Sequence, residues 1–226
     1  FMAGSSLPVT WRPPSLEMPL GTEIEEAVTV GYGGVDSYDF HGLETLQCMV
    51  ERRKGGESGV KWLQAYRDDN FWQAHADGIW SRELFEANLC RSHTLTPARP
   101  GFNNPFPTID ELVHLVESPV AYQYEHHDGL RSTMILMNGL VSDFTFAARL
   151  KGQSEPLSTL FYLPPNPNVV YSGALMENAE KMFVSGKAPY PVERTLLTSG
   201  LVEAGLMSLA AGGETMETPH LDVQYR

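Results

Sequence analysis

The run Val120-Ala-Tyr-Gln-Tyr-Glu-His-His-Asp-Gly-Leu-Arg-Ser-Thr-Met-Ile-Leu-Met-Asn-Gly-Leu-Val-Ser-Asp-Phe-Thr-Phe-Ala-Ala-Arg-Leu150 decides the fold class. β-branched and aromatic residues alternate with polar ones, and Asp128-Gly129 and Asn138-Gly139 interrupt them at the two places where a tight turn is needed. Asp-Gly and Asn-Gly between such runs are strong hairpin signals, because both central turn positions favour left-handed backbone. The pattern predicts strands over Val120–His127, Leu130–Met137 and Leu140–Leu150. A fourth, Leu157–Leu163, follows Lys151-Gly152 and ends at Pro164-Pro-Asn-Pro167. Taken locally, this is an antiparallel meander. Its third strand puts Phe144, Phe146, Ala148 and Leu150 on one face, toward helices. Asp143, Thr145 and Arg149 on the other face suit solvent, a pocket rim or a subunit contact.

Downstream, Val170–Ser185 carries Leu175, Ala179, Met182 and Phe183 at helical spacing and stops at Gly186. Pro191–Leu209 is a second helix with proline in its first turn, and Glu214–Tyr225 reads as an edge strand. Upstream, Thr108-Ile-Asp-Glu111 is a capping box opening a helix to about Val116. Thr94–Pro107, rich in proline, glycine and asparagine, predicts a surface loop that could border a pocket. Helices are expected at Asp69–Ala76 and Ser81–Ser92, the latter capped by Ser81, and a strand at Val60–Tyr66. Glu23–Val30 predicts a strand, Phe1–Thr10 a short apolar strand, and Arg12-Pro-Pro-Ser-Leu-Glu-Met-Pro19 a proline-broken connector. The sum is an α+β domain with an open, mostly antiparallel sheet covered on one face by helices. It fills residues 21–226, with 1–20 as a linker or a remnant of a preceding domain.

Composition narrows the function classes. The chain has 226 residues, 42% of them hydrophobic, enough for a sizeable core. Its formal charge of −12 comes with scattered cations, and the one basic cluster, Arg52-Arg53-Lys54, ends a helix where cations suit the dipole. Nucleic acid and anionic membranes are therefore poor partners. Cys48 and Cys90 have no metal-ligand or disulfide spacing and fit free thiols in a reducing, cytoplasmic setting. No apolar run approaches the roughly 20 residues of a membrane-spanning helix.

The stretch Gly31-Tyr-Gly-Gly-Val-Asp-Ser-Tyr-Asp-Phe-His-Gly-Leu-Glu44 and onward to Arg53 reads as a strand end, a glycine turn and a helix over about 37–53, with Ser37 as N-cap. Leu43, Leu46 and Val50 share one stripe, while His41, Glu44, Thr45, Cys48 and Arg52 lie opposite. A first-turn histidine near the positive end of the helix dipole stays neutral and can accept a proton. The plain alternative is a solvated helix face with an ordinary histidine.

Other motifs fail on chemistry. Gly31-Tyr-Gly-Gly34 lacks the third glycine of a dinucleotide loop and the Lys-Ser/Thr of a P-loop. His126 and His127 point to opposite faces of a strand and cannot chelate one ion, so Glu125-His-His-Asp128 reads as a polar hairpin end and no metal is expected. No Gly-x-Ser-x-Gly elbow or His-Glu-x-x-His helix is present.

The order of elements resembles the substrate domain of the glucose–fructose oxidoreductase / inositol dehydrogenase (Gfo/Idh/MocA) family. The resemblance is carried by Gly33-Gly34 followed by His41 and Glu44, by the run of strands, and by Met182-Phe-Val-Ser-Gly-Lys-Ala-Pro189 with the Glu193 helix. The family's motif is Asp-x-Gly-x-His with an acid three positions later; here Ser37 replaces its aspartate and Asp39 its glycine. The resemblance implies an NAD(P)-dependent oxidoreductase acting on a sugar, polyol or related hydroxy compound. His41 would be the proton acceptor, Glu44 its orienting carboxylate, and Arg12, Tyr38 and Asp39 would line the substrate cleft. NAD or NADP would sit on a nucleotide-binding domain N-terminal to this region, whose glycine loop and Glu-Lys-Pro lysine are not in this chain. Phe1-Met-Ala-Gly-Ser-Ser6 would be its last part, making the chain a fragment, or else a half that works with a separate partner. The chain by itself would then be inactive. It also implies a homo-oligomer formed through the open sheet face. The competing reading is a non-catalytic module that keeps the fold for binding or assembly.

Overall fold

The computed structural model describes residues 1–97, 106–165 and 167–226. Its longer strands are β1 (Ile24–Gly31), β3 (Val60–Arg67), β4 (Glu117–His126), β5 (Arg131–Asn138), β6 (Phe144–Leu150) and β7 (Leu157–Phe161). Three two-residue strands, β2 (Glu57–Ser58), β8 (Met216–Glu217) and β9 (Gln224–Tyr225), complete the set. The helices are α1 (Tyr38–Val50), α2 (Asp68–Ala76), α3 (Arg82–Leu89), α4 (Ile109–Leu115), α5 (Val170–Ser185) and α6 (Glu193–Ala210). The central sheet runs β7-β6-β1-β5-β4-β3-β8, and β2 pairs separately with β9. Every described pairing within that sheet is antiparallel except β1 with β5. The α+β class and the open, mostly antiparallel sheet are as the sequence predicts.

The meander is not. β4 and β5 form the hairpin expected at Asp128-Gly129, but β5 and β6 do not pair. β1 lies between them, parallel to β5 through Ala27–Ser132 and antiparallel to β6 through Ala27–Ala148. The Asn138-Gly139 turn therefore opens a crossing over the end of β1, and β6 begins only at Phe144. Alternation in β1 explains the insertion: Val28 and Val30 fill one face while Ala27 packs on the other, so the strand is buried on both sides.

Helical cover is wider than one face. α1 and α6 pack over Leu43, Leu46, Tyr122, Tyr124, Met134, Phe144, Phe146, Leu197 and Leu201. On the reverse face α2, α3 and α4 seat Phe71, Leu84, Phe85, Leu89 and Leu112 against Val28, Val30, Ala121 and Ile135. Both α3 and α4 start as predicted, Ser81 accepting from the Leu84 amide and Thr108 forming a full capping box with Glu111. The strip these helices leave bare is charged and self-paired: Glu125 takes Lys61 at 3.0 Å and Arg131 at 3.3 Å, and Arg149 approaches Glu26 at 3.5 Å.

The N-terminal segment is not a strand. Leu7–Val9 is a single 3-10 turn with Pro8 inside it, and proline cannot donate to a ladder. The following connector is stitched along the free edge of β7. The amides of Leu160 and Tyr162 donate to the carbonyls of Pro13 (3.0 Å) and Trp11 (2.8 Å), so that edge is covered. At the far end, the predicted edge strand over Glu214–Tyr225 reduces to β8 on β3 and β9 on β2. α5 buries none of its residues, and Met176, Phe183 and Val184 stand exposed. Positions 98–105 of the predicted loop Thr94–Pro107 lie outside the described residues.

Candidate functional site

The turn between β1 and α1 builds the candidate site. Gly33 has φ +98°, and a β-carbon there would lie 2.1 Å from the Tyr38 ring. Only glycine allows both the backbone angle and that approach. Asn138 clamps this turn from the crossing: its Oδ1 accepts from the Gly33 amide (2.7 Å) and its Nδ2 donates to the Gly33 carbonyl (2.9 Å). Beneath, Gly42 lets α1 settle on β5, since a β-carbon would meet the Met134 side chain at 2.8 Å.

Asp39, rather than Ser37, caps the helix. Ser37 makes no side-chain cap bond. The Asp39 carboxylate accepts from the amides of Asp36 (3.0 Å), Ser37 (2.9 Å) and Phe40 (2.9 Å), and from the Tyr122 hydroxyl at 3.0 Å. An acid at the start of a helix meets both the free amides and the positive dipole end. Asp39 is fully buried with four donors on its carboxylate, so the structure uses it to hold the turn.

His41 sits half-buried among aromatic rings. Its ring lies edge-on to Tyr38 (5.5 Å), Phe40 (5.9 Å) and Phe144 (6.3 Å), and Tyr38 in turn packs on Tyr32 at 5.1 Å. Nδ1 is shut from solvent with no hydrogen-bond partner among the described residues. Burial holds the imidazole pKa below its usual 6.5, and the Asp39 charge only partly opposes this. The charged ring is the form that desolvation penalises, so the neutral ring dominates at neutral pH. Burial likewise raises the Tyr32 phenol, aided by the adjacent Tyr38. An NMR titration of His41 in the folded chain is expected to give a midpoint below 6.5; one at or above that value would contradict the desolvated ring.

Of the other predicted site residues, Glu44 and Arg12 are not gathered here. Glu44, one turn on, is buried against the N-terminal segment and α6. It accepts from the Ser5 amide (2.7 Å) and the hydroxyls of Thr195 (3.1 Å) and Thr198 (3.5 Å). Burial raises its pKa, against the lowering effects of the Ser5 amide and Arg194. No hydrogen bond joins it to His41 among the described residues. α1 is thus buried on the side read as solvated, because α6 and the N-terminal segment cover Glu44, Thr45 and Cys48. Arg12 lies near the other end of α1, 3.9 Å from Cys48 Sγ, with its guanidinium over the Phe161 ring at 4.9 Å. Seven helical residues, about 10 Å of rise, separate Cys48 from His41. Tyr38 alone of the four lies against His41.

Sequence reading misses Asn138, Phe144 and Tyr32, the residues that shape this corner. Asn138 is visible there only as a turn residue and Phe144 only as core. Cavities lie elsewhere, among them one of about 600 Å³ beside Trp11, Pro13, Pro14 and Tyr162 and one of about 390 Å³ around Arg12, Tyr190 and Arg194. Among the described residues no cluster of His, Cys, Asp and Glu could hold a metal ion, and no helix is long and apolar enough to cross a membrane. Both cysteines are free thiols.

No family model matches this chain, and no curated protein matches it. Solved structures do. A super-repressor mutant of Gal80p from Saccharomyces cerevisiae aligns over 90% of this chain and 60% of its own, at 10% identity and TM-score 0.47. Aldose-aldose oxidoreductase from Caulobacter crescentus, complexed with glycerol, aligns over 86% and 55%, at 12% identity and TM-score 0.39. Levoglucosan dehydrogenase, in complex with NADH and levoglucosan, aligns over 87% and 59%, at 11% identity and TM-score 0.44. These are members of the Gfo/Idh/MocA family, and the chain spans 55–60% of their length. At such scores the likeness is one of general architecture.

Proposed function

We propose that this chain is the substrate-binding part of an NAD(P)-dependent oxidoreductase acting on a sugar, polyol or related hydroxy compound. The observation that carries the proposal is His41: a neutral, desolvated imidazole in the first turn of α1, with aromatic rings on three sides. Of its two nitrogens Nδ1 is the one shut off from solvent, which leaves Nε2 to accept a hydroxyl proton as hydride departs from the same carbon. Tyr38 and Tyr32 offer ring faces for the apolar side of such a substrate.

The chain's own glycine turn does not fit the phosphates of a dinucleotide. Gly31-Tyr-Gly-Gly34 closes on Tyr38 and Asn138 instead of opening toward a phosphate, and no other glycine loop of that kind occurs in the sequence. The cofactor therefore belongs to a nucleotide-binding domain or partner chain, and the share of the reaction left to this chain is to hold the substrate and take its proton. A homo-oligomer built on the bare strip of the sheet would have to exchange the Glu125 and Arg149 ion pairs for contacts between copies, and would weaken with salt.

One observation favours the second reading, a non-catalytic binding or assembly module: Glu44 is taken up by Ser5, Thr195 and Thr198 and has no hydrogen bond to His41. The two separate experimentally. NADH and NADPH are titrated against this chain and against a longer chain carrying the upstream coding sequence. Saturable binding in the longer chain alone is expected, and binding in neither ends the dehydrogenase reading. In the active form, His41→Ala should lower turnover at least about a hundredfold. Unchanged turnover removes His41 from the chemistry.

A further inference from the structure

Thr10-Trp-Arg-Pro-Pro-Ser-Leu-Glu17 contains the connector stitched to the edge of β7, and together with Tyr162 it walls the cavity of about 600 Å³. The Tyr162 amide donates to the Trp11 carbonyl at 2.8 Å, and the Thr10 hydroxyl donates to the Tyr162 carbonyl at 2.7 Å, so Trp11 is held beside Tyr162. Their rings are parallel to within 4°, with centroids 6.4 Å apart. The backbone is fixed, yet the indole is left in the open: Trp11 is 65% exposed. Tryptophan is highly buried on average. Here it stands out with Pro13, Pro14 and Leu16 around the same cavity.

Polar groups that a ligand can reach complete the wall. The Trp11 indole N–H, the Tyr162 hydroxyl and the Ser15 hydroxyl make no hydrogen bond among the described residues. Trp11 and Ser15 are exposed, and the Tyr162 hydroxyl is not among the oxygens sealed from solvent. Formal charge in the wall cancels, 1 − 1 = 0, because Arg12 pairs with Glu17 at 2.6 Å and also donates to the carbonyls of Leu16 and Pro8. The cavity thus offers open apolar faces and neutral donors, with no free cation. An added peptide strand would find almost no ladder. Pro13 and Pro14 have no amide to give, and the carbonyls of Trp11, Pro13 and Pro14 already accept from Tyr162, Leu160 and Thr159.

We propose that this cavity is a second binding site, separate from the His41 corner, for a neutral pyranose sugar stacked on the Trp11 and Tyr162 rings. A pyranose with equatorial hydroxyls is amphipathic in the matching way. Its faces carry C–H groups that lie against an aromatic surface, and its rim carries hydroxyls for the indole N–H, the phenol and Ser15. With no excess positive charge in the wall, a sugar acid or sugar phosphate gains nothing over the neutral sugar. The volume lies within the roughly 300–1,000 Å³ of ligand cavities, ample for a disaccharide. This inference does not rest on the oxidoreductase reading, since no residue of the His41 cluster lines the cavity.

An NMR titration of the whole chain with cellobiose tests it, followed at the Trp11 indole N–H and at the backbone amides of Ser15 and Tyr162. The indole resonance is assigned by its loss in Trp11→Phe. Saturable shifts at all three are expected, unchanged by added salt because the ligand is neutral. Read at the two amides, Trp11→Ala should weaken binding at least about tenfold, and Tyr162→Phe, which keeps the ring, about fivefold. Ser15→Ala, on the exposed connector, should weaken it as well, and His41→Ala should leave it unchanged. No saturable shift, full affinity in Trp11→Ala, or tighter binding of glucuronate would each overturn the proposal. Decaproline shifting the indole at lower concentration than cellobiose would overturn it in favour of a peptide groove. Loss of binding in His41→Ala would overturn it too, by moving the sugar to the other site.

Discussion

Arg53→Ala is expected to cost about 3–5 kcal/mol of folding stability, the usual penalty for stranding one member of a buried ion pair. Arg53 and Glu57 have side chains 3% and 0% exposed, joined at 2.9 Å, and Arg53 also reaches Asp128 at 2.7 Å. Glu57 is the hub. It takes the His126 ring at 2.9 Å, the Gln47 amide at 2.6 Å, and the backbone amides of Ser58 and Gly59. The chain of contacts continues from Gln47 to the Tyr225 hydroxyl, then to Glu51 and Arg194, so it ties the β4–β5 hairpin to β9 and α6. Removing the guanidinium leaves a buried carboxylate with the His126 ring, the Gln47 amide and two backbone amides beside it. Urea unfolding should show the loss as a lower midpoint at similar slope, and a change under about 1 kcal/mol would mean that the remaining donors suffice.

The same hub sets an acid limit. Burial alone would raise the Glu57 pKa, but His126 and Arg53 more than reverse it and hold the carboxyl well below its usual 4.5. A group whose folded pKa is depressed adds stability that is fully present above its unfolded pKa. That stability drains as pH falls through the folded value. The protein should therefore lose stability progressively below about pH 4.5, and Arg53→Ala should flatten that dependence.

Asp39→Ala is expected to cost about 3 kcal/mol, since three amides at the helix start and a buried phenol lose one shared acceptor. The Tyr122 hydroxyl suffers most. Burial and the neighbouring Asp39 already hold it protonated far above the normal phenol range, so it must donate to something. Thermal unfolding of Asp39→Ala beside Tyr122→Phe and the double variant would show strong coupling between the two. A small stability loss accompanied by a raised KM for substrate would instead place Asp39 in the cleft.

These residues show where local sequence signals end. Asp39 stands where the resembled motif has glycine, and neighbouring spacing could not reveal that Tyr122, 83 positions away, supplies its fourth donor. Ser37 reads as the cap because serine caps are common; the acid two residues later has two oxygens to share and displaces it. The Glu125-His-His-Asp128 run reads as a polar hairpin end, and that polar character conceals a fully buried His126. Its partner Glu57 belongs to a strand only two residues long. Elements with their own signals are legible: Ser81 and Thr108 at helix starts, Gly186 in left-handed conformation at the end of α5, the Asp128-Gly129 turn. What fails is adjacency. Asn138-Gly139 is a turn in both readings, but its geometry does not say that β1 will occupy the slot beside β5. Likewise, α1 shows polar residues on the side that α6 covers, and one of them, Glu44, accepts across that interface from Thr195 and Thr198.

The position of β1 also has a consequence in time. It ends at Gly31, while β5 starts only at Arg131 and β6 at Phe144. Both neighbours are needed, because Ala27 faces Ser132 on one side and Ala148 on the other. During synthesis the nascent strand, with Val28 and Val30 on one face, has neither partner while everything in between is made. Closing so long a loop before any contact rewards it slows folding, and an unpaired apolar strand is the kind that associates with other chains in the meantime. The β4–β5 hairpin can form locally and at once, and it presents the edge of β5 as a waiting template. Productive folding then becomes a race between capture of β1 by that edge and capture by a stranger, decided by concentration and by whatever shields the emerging strand.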